Sequence, residues 1–316
     1  MKIAFAGKGG SGKTTLSSLF VRSLAARGLP VVAIDADINQ HLAGALGAVE
    51  PQPMGAHLPE IKEYLRGSNL RISSAAAMVK TTPPGRGSRL LRPGGTDPVH
   101  ALGVAAPCGA LLLATGPFEG DDLGVACYHS KTGAVELYLN HLVDGPGEYV
   151  VVDCTAGADS FASGLFTRFD LTVLVAEPTR KGISVCDQWR SYAEGFDVPV
   201  ALVGNKVQST EDAAFLGSHA GEKPLALIGH EPAVRAMEQG RPFSLDDLSP
   251  DTADALSAIK TRLDAVPRNW DRYARLADEF HRRNARAWAS DRAGEDLMAQ
   301  IDPGFTLGPH ATEVSV

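Results

Sequence analysis

The sequence predicts an α/β fold, doubly wound around a mostly parallel sheet, and three observations predict it. Short, nearly continuous apolar runs alternate with stretches of helical apolar spacing along most of the 316 residues, as strands covered on both faces do. Residues 7–14 spell Gly7-Lys8-Gly9-Gly10-Ser11-Gly12-Lys13-Thr14 between an apolar strand and a helix, the context of a phosphate-binding loop. Farther along, residues 149–153 form an apolar run that ends in Asp153, the pattern of a second strand at such a site.

The first strand is 2–6, and the glycines after it let backbone N–H groups curl around a phosphate. Helix 13–27 follows with apolar residues at helical spacing, and its N-terminus adds a positive dipole end. Strand 31–35 ends in Asp35, and 57–65 reads as a short helix. Strand 110–114, helix 134–142 and strand 149–153 come next, then strand 171–176 and helix 183–194. The last units are strand 200–205, helix 211–218, strand 225–228 and helices 232–239 and 252–263. Residues 1–265 are thus expected to form one P-loop NTPase domain. In 266–288 Trp270, Tyr273, Leu276, Phe280 and Trp288 lie at helical spacing, broken at Asn284, so 266–316 reads as a helical extension with a loose tail. Residues 79–109 break the alternation with five prolines, many glycines and Lys80, Arg86, Arg89 and Arg92. The expectation is a mobile insertion with solvated charges, the alternative a lid or partner-docking segment.

Composition narrows the class. Apolar residues make up 44% and charged ones 21%, enough for a sizeable core. A net charge of −7 argues against a protein that coats nucleic acid. Cys108, Cys127, Cys154 and Cys186 show no CxxC spacing, Met1-Lys2 runs straight into a strand, and no apolar run approaches a membrane span. The expected compartment is the cytoplasm.

Chemistry concentrates where strands end, the rule for open α/β sheets. The phosphate contacts expected are Gly7, Gly9, Gly10, Ser11, Gly12, Lys13, Thr14 and Thr15. Lys13 is placed to reach the β- and γ-phosphates and Thr14 to ligate Mg²⁺. Asp35 and Asp37, ending the second strand, fall where Mg²⁺ and an attacking water must be held, though an Asp there also serves as a helix cap. Asp153 is placed to hold Mg²⁺ through a water.

The spelling Lys8-Gly9-Gly10-Ser11-Gly12-Lys13-Thr14 resembles the deviant loop of the MinD/ParA family, which includes nitrogenase iron protein, arsenite-pump ATPases and carbon monoxide dehydrogenase maturation factors. The resemblance implies that Lys8 crosses a homodimer interface to touch the partner's nucleotide. It implies that Asp37 orients or deprotonates the water, that Asp35 lies near the metal's outer shell, and that Asn39 assists at the γ-phosphate. Cys154-Thr155-Ala156-Gly157 is similar to the family's switch II, with the Gly157 N–H donated to the γ-phosphate. Asn205 matches a position that reads the purine, and Gln208 stands where guanine-specific relatives carry an aspartate, so ATP is expected. Residues 229–242, including Pro232, look like the base-flanking loop, although a capping turn explains Pro232 nearly as well. Cys127 and His129 stand where the maturation factors carry a Cys-x-Cys pair. The resemblance implies Zn²⁺ or Ni²⁺ held by two such pairs across a dimer, against a packing role for the segment.

The function expected is a Mg-dependent ATPase that acts as a nucleotide-switched homodimer and drives an unidentified client protein or metallocentre maturation. The alternatives are a slow-ATPase positioning or scaffold module, or a regulator of an unrelated pathway enzyme.

Overall fold

A computed structural model describes residues 1–117, 128–157, 159–162, 164–219, 221 and 223–312. The strands are β1 (Lys2–Gly7), β2 (Val31–Ala36), β3 (Val104–Ala105), β4 (Leu111–Ala114), β5 (Tyr149–Cys154), β6 (Leu171–Ala176), β7 (Val200–Gly204) and β8 (Ala226–Leu227). They form one sheet in the order β3-β4-β2-β5-β1-β6-β7-β8. Every pairing is parallel except the short antiparallel contact of β3 with β4. The helices are α1 (Lys13–Ala25), α2 (Leu42–Leu46), α3 (Leu58–Arg66), α4 (Tyr128–His141), α5 (Arg180–Ala193), α6 (Thr210–His219), α7 (Pro232–Glu238), α8 (Pro250–Asp264), α9 (Trp270–Asn284) and α10 (Ser290–Ala293).

The apolar runs are continuous because both faces of the sheet are covered. Ile3 and Phe5 join Val151, Phe20 and Ile259 under α1 and α8. Ala4 and Ala6 point the other way, to Val150, Val152, Val135 and Trp189 under α4 and α5. Alternate residues therefore serve two cores, the period-2 geometry of a strand. Emptying either one by Phe20→Ala or Trp189→Ala costs about 3–5 kcal/mol.

Four differences from expectation have physical causes. Helix α4 begins at Tyr128 rather than 134. Gly133 hides the start of the pattern, and it lets the helix pass close to Lys80, whose Cβ would lie 3.0 Å from a Cβ added there. Strand β3 has only two residues, too few for any periodicity to show. The insertion is packed, not mobile: Thr81, Thr82, Ser88, Leu91, Val99 and His100 are buried. Nor are the described residues of the tail, up to 312, loose. Leu297, Ile301 and Leu307 are buried, and Gln300 and Asp302 bond Thr82 and Arg86 of the insertion at 2.9 and 2.8 Å. The helical stripe does break after Asn284, where a π-helical turn (Ala285–Ala289) links α9 to α10.

Candidate active site

The loop after β1 is shaped from outside by its neighbours. Gly7 has φ +149°, and a Cβ there would lie 2.3 Å from the Val175 carbonyl oxygen, so only glycine lets β1 turn into the loop beside β6. The next strand over supplies two struts. Asn205 Nδ2 donates to the Ser11 carbonyl at 2.7 Å, and Lys206 Nζ donates to the Gly10 carbonyl at 2.6 Å. A loop whose carbonyls are held from one side presents its N–H groups to the other, an anion-binding nest. Lys13 opens α1 and is buried. The Asn205 amide, expected at a purine, thus spends one of its two N–H donors on the loop.

Parallel pairing of β2 with β5 sets Asp35 opposite Asp153. Asp153 is fully buried, and burial, reinforced by the Asp35 charge, pushes its carboxyl up to about 8. Its Oδ2 accepts from Thr14 Oγ1 at 2.5 Å, while Oδ1 has no hydrogen-bond partner. Burial also raises Asp35, to about 6, against the backbone N–H groups of Leu42 and Asp37, which its two oxygens accept at 2.8 and 3.1 Å. Asp35 therefore shapes the segment that follows β2.

That segment is a turn bonded to itself. Asp37 Oδ1 accepts from the Asn39 backbone at 3.0 Å and from its side-chain amide at 3.1 Å, so Asn39 is committed to Asp37. Gln40 is left-handed, φ +49°, and its side chain donates to the Asp37 carbonyl. On the β5 side, the Gly157 N–H expected at a γ-phosphate donates instead to the Gly7 carbonyl at 3.0 Å. A backbone N–H beside a buried strand end takes whatever acceptor is there. Lys8 Nζ donates to the Gly9 carbonyl at 3.3 Å and lies 3.6 Å from Glu177 Oε2.

Two connected clefts result. One, of about 820 Å³, is lined by Gly9, Lys13, Thr14, Asp37, Asn39 and Ala156. The other, of about 360 Å³, lies between α1, the end of β7 and α7, with Asn205, Gln208, Ile228, His230 and Val234 in its wall. Gly12, Thr15, Lys206 and Glu238 border both. Pro232 opens α7 at its first position, and Glu231 caps that helix and accepts from Ser249 and Thr252 at the start of α8. A phosphate chain and a planar base fit these clefts in that order. Cys127 lies outside the described residues, and nothing is described of the His129 side chain. Among the described residues no group of three or more His, Cys, Asp or Glu is gathered to hold a metal.

Glu238 escaped sequence reasoning as a site residue, and Glu177 is read from sequence only as following a strand on the edge where the other sites lie. The available signal for Glu177 was its place one residue beyond a strand end; Glu238, which accepts from Thr15 Oγ1 at 3.2 Å, carried none.

Residues 2–289 match the family described as the CobQ/CobB/MinD/ParA nucleotide binding domain. The chain belongs to this family. Carbon monoxide dehydrogenase accessory protein CooC of Rhodospirillum rubrum is 29% identical over 265 residues, 83% of this chain and 96% of that protein. An uncharacterized ATP-binding protein of Methanocaldococcus jannaschii is 26% identical over 78% of this chain and 92% of its own length. Among solved structures, MinD cell division protein of Aquifex aeolicus matches with a TM-score of 0.55 and 21% identity, over 85% of this chain and 99% of that one. An ATP complex of a Cyanothece McdA variant matches with a TM-score of 0.55 and 16% identity, over 85% and 97%. This MinD/ParA-type chain is a P-loop ATPase. No helix among its described residues is long and apolar enough to cross a membrane.

Proposed function

We propose that the chain is a Mg-dependent ATPase that works as a nucleotide-switched homodimer and drives a client protein, with metallocentre maturation as the process served. Lys8 carries the reading. It belongs to the phosphate loop, yet it does not line the phosphate cleft, and its side chain is about one-third exposed. A loop lysine that does not line its own cleft is suited to the phosphates of a second copy, as an arginine finger is. The likeness to a carbon monoxide dehydrogenase accessory protein supports the client class.

The residues divide the work as follows. Lys13 and the loop N–H groups from Gly9 to Thr15, except that of Ser11, which the Lys8 carbonyl accepts at 3.1 Å, hold the β- and γ-phosphates. Thr14 and Asp153 are the Mg²⁺ residues, and the donor set fits: a hydroxyl beside a carboxylate with one unpartnered, fully buried oxygen suits a divalent cation. Bound there, Mg²⁺ neutralises phosphate charge. Asp37 keeps one oxygen on Asn39 and uses the other to orient a water and take its proton. The water oxygen bonds to the γ-phosphorus as the bond to the bridging oxygen breaks, and ADP leaves with that electron pair. Gly157 gives up the Gly7 carbonyl to reach the γ-phosphate, so switch II registers the nucleotide. Asn205 Oδ1 faces the adenine, with no acid at Gln208 to favour guanine.

Lys8→Ala tests the reading. ATP affinity by calorimetry is expected to stay within about threefold, while ATP-dependent dimerisation and turnover fall at least about a hundredfold. Mixed with Asp37→Ala protein, it should recover part of the activity, because one composite site then keeps both groups. Normal turnover by Lys8→Ala alone would sink the proposal. Capture of one stoichiometric client on the ATP-trapped Asp37→Ala dimer checks the client class.

A further inference from the structure

Glu177 stands one residue beyond β6, at the mouth of the phosphate loop. Its carboxylate serves two lysines, with Oε1 2.7 Å from Lys206 Nζ and Oε2 3.6 Å from Lys8 Nζ. Lys206 also holds the Gly10 carbonyl at 2.6 Å. It does so from a left-handed backbone, φ +62°, a conformation disfavoured for a residue with a Cβ. Such a residue persists where its surroundings over-determine it, and here the two bonds from Nζ do so. Partial burial works against the Glu177 charge, but the hydrogen bond and charge of Lys206, then those of Lys8, outweigh it and hold the carboxyl below its ordinary range.

We infer that Glu177 is a positioning residue that docks Lys8 on its own chain, and that Lys206 keeps this carboxylate neutralised once Lys8 leaves for the partner's nucleotide. The inference rests on the trans role proposed above for Lys8. One ammonium cannot stay beside Glu177 and also reach across an interface, so dimer formation must break this contact twice, once per protomer. Its departure would leave a bare carboxylate facing incoming phosphates in a water-poor interface, where like charges repel strongly. Lys206 remains bound to Oε1 and prevents that. Glu177 thereby opposes assembly and Lys206 favours it, although the two are bonded to each other.

The opposed signs are testable by sedimentation with Mg²⁺ and a non-hydrolysable ATP analogue. Glu177→Gln removes the dock and should tighten the dimer about three- to tenfold, the size expected of two partly exposed ion pairs. Lys206→Met should weaken the dimer by a similar factor. The double variant Glu177→Gln/Lys206→Met should return to the wild-type value or tighter, because no carboxylate is left to strand. A role confined to loop shape predicts that all three variants weaken together, and that result, or a Glu177→Gln dimer no tighter than wild type, overturns the inference. Lys8→Ala in the same series separates the two readings. If it dimerises as wild type, the trans lysine itself fails. If it fails to dimerise while Glu177→Gln matches wild type, only the dock fails.

Discussion

At the amino ends of the strands Asp144 is buried among Lys2, Arg268 and the Met1 amino group, whereas at the carboxyl ends Asp153 is buried beside Asp35. Burial alone would raise both carboxyls. The three cations around Asp144 outweigh it and bring that group down to about 2. Nothing comparable reaches Asp153, which rises to about 8. Lys2 adds a bond to the Leu142 carbonyl at 2.7 Å and lies over the rings of Trp270 and Tyr273. One end of the sheet thus pairs its buried carboxylate with cations, and the other keeps a buried carboxyl that only a ligand would compensate. A site built for a phosphate chain carries this tension, and the opposite end offsets the loss of stability.

The comparison can be broken most severely at its stable end. Asp144→Ala leaves Lys2 and Arg268 uncompensated in the interior and should cost about 3–5 kcal/mol, read as a large drop in thermal midpoint. A loss below about 1 kcal/mol would mean that this end is not the anchor described. At the other end, Lys13→Ala should weaken ATP by at least about a hundredfold in calorimetry, roughly 3 kcal/mol, with little change in the melting of the unliganded chain. Retained micromolar binding would contradict the loop assignment.

His141 sharpens the contrast with a cation. It is fully buried, and burial lowers its imidazole from 6.5 to about 4. The unfolded chain therefore takes a proton that the folded chain refuses between those values. Stability is present above pH 6.5 and is lost as pH falls toward 4, by about 2–3 kcal/mol in all. Denaturant titrations at several pH values should show this slope, and His141→Gln should flatten it; an unchanged slope would place the titrating group elsewhere.

The smallest effect is the most diagnostic. Between 3.8 and about 8 the folded chain holds a proton on Asp153 that the unfolded chain has released, so stability falls as pH rises through that window. Asp153→Asn should therefore stabilise the unliganded chain at pH 8.5 by about 1–2 kcal/mol while impairing Mg-dependent turnover. A variant equally unstable at that pH would show that the carboxylate is not strained.

What could be read in advance was what is written locally. The phosphate loop, the strand ending at Asp153 and the Asp35–Asp37 turn are contiguous spellings, and the structure sets them around one cleft. Neighbouring strands brought them together, as an open parallel sheet does. The Glu177 contacts with Lys8 and Lys206 join three loops, and Thr15 meets Glu238 across most of the domain, so no spacing announces them. The insertion was misread for a related reason. Its prolines look like mobile loop until the distant tail supplies Gln300 and Asp302 as partners, although Arg86, Arg89 and Arg92 are exposed as expected. Asn39 and the Gly157 N–H bond inside the chain because each has an acceptor at hand, which motif positions alone do not disclose.

The central place of β1 has a consequence for how the molecule is made. The strand leading into the phosphate loop is synthesised well before its register partners, which are Val150–Asp153 on one side and Leu171–Val175 on the other. At ribosomal speeds of about 5–20 residues per second, β1 waits roughly 10–35 s for both neighbours to leave the tunnel. Its loop waits longer still, because the struts come from Asn205 and Lys206. A nascent chain shorter than this has the motif but no shaped pocket, so ATP is captured late in translation, after most of the sheet has closed around its first strand.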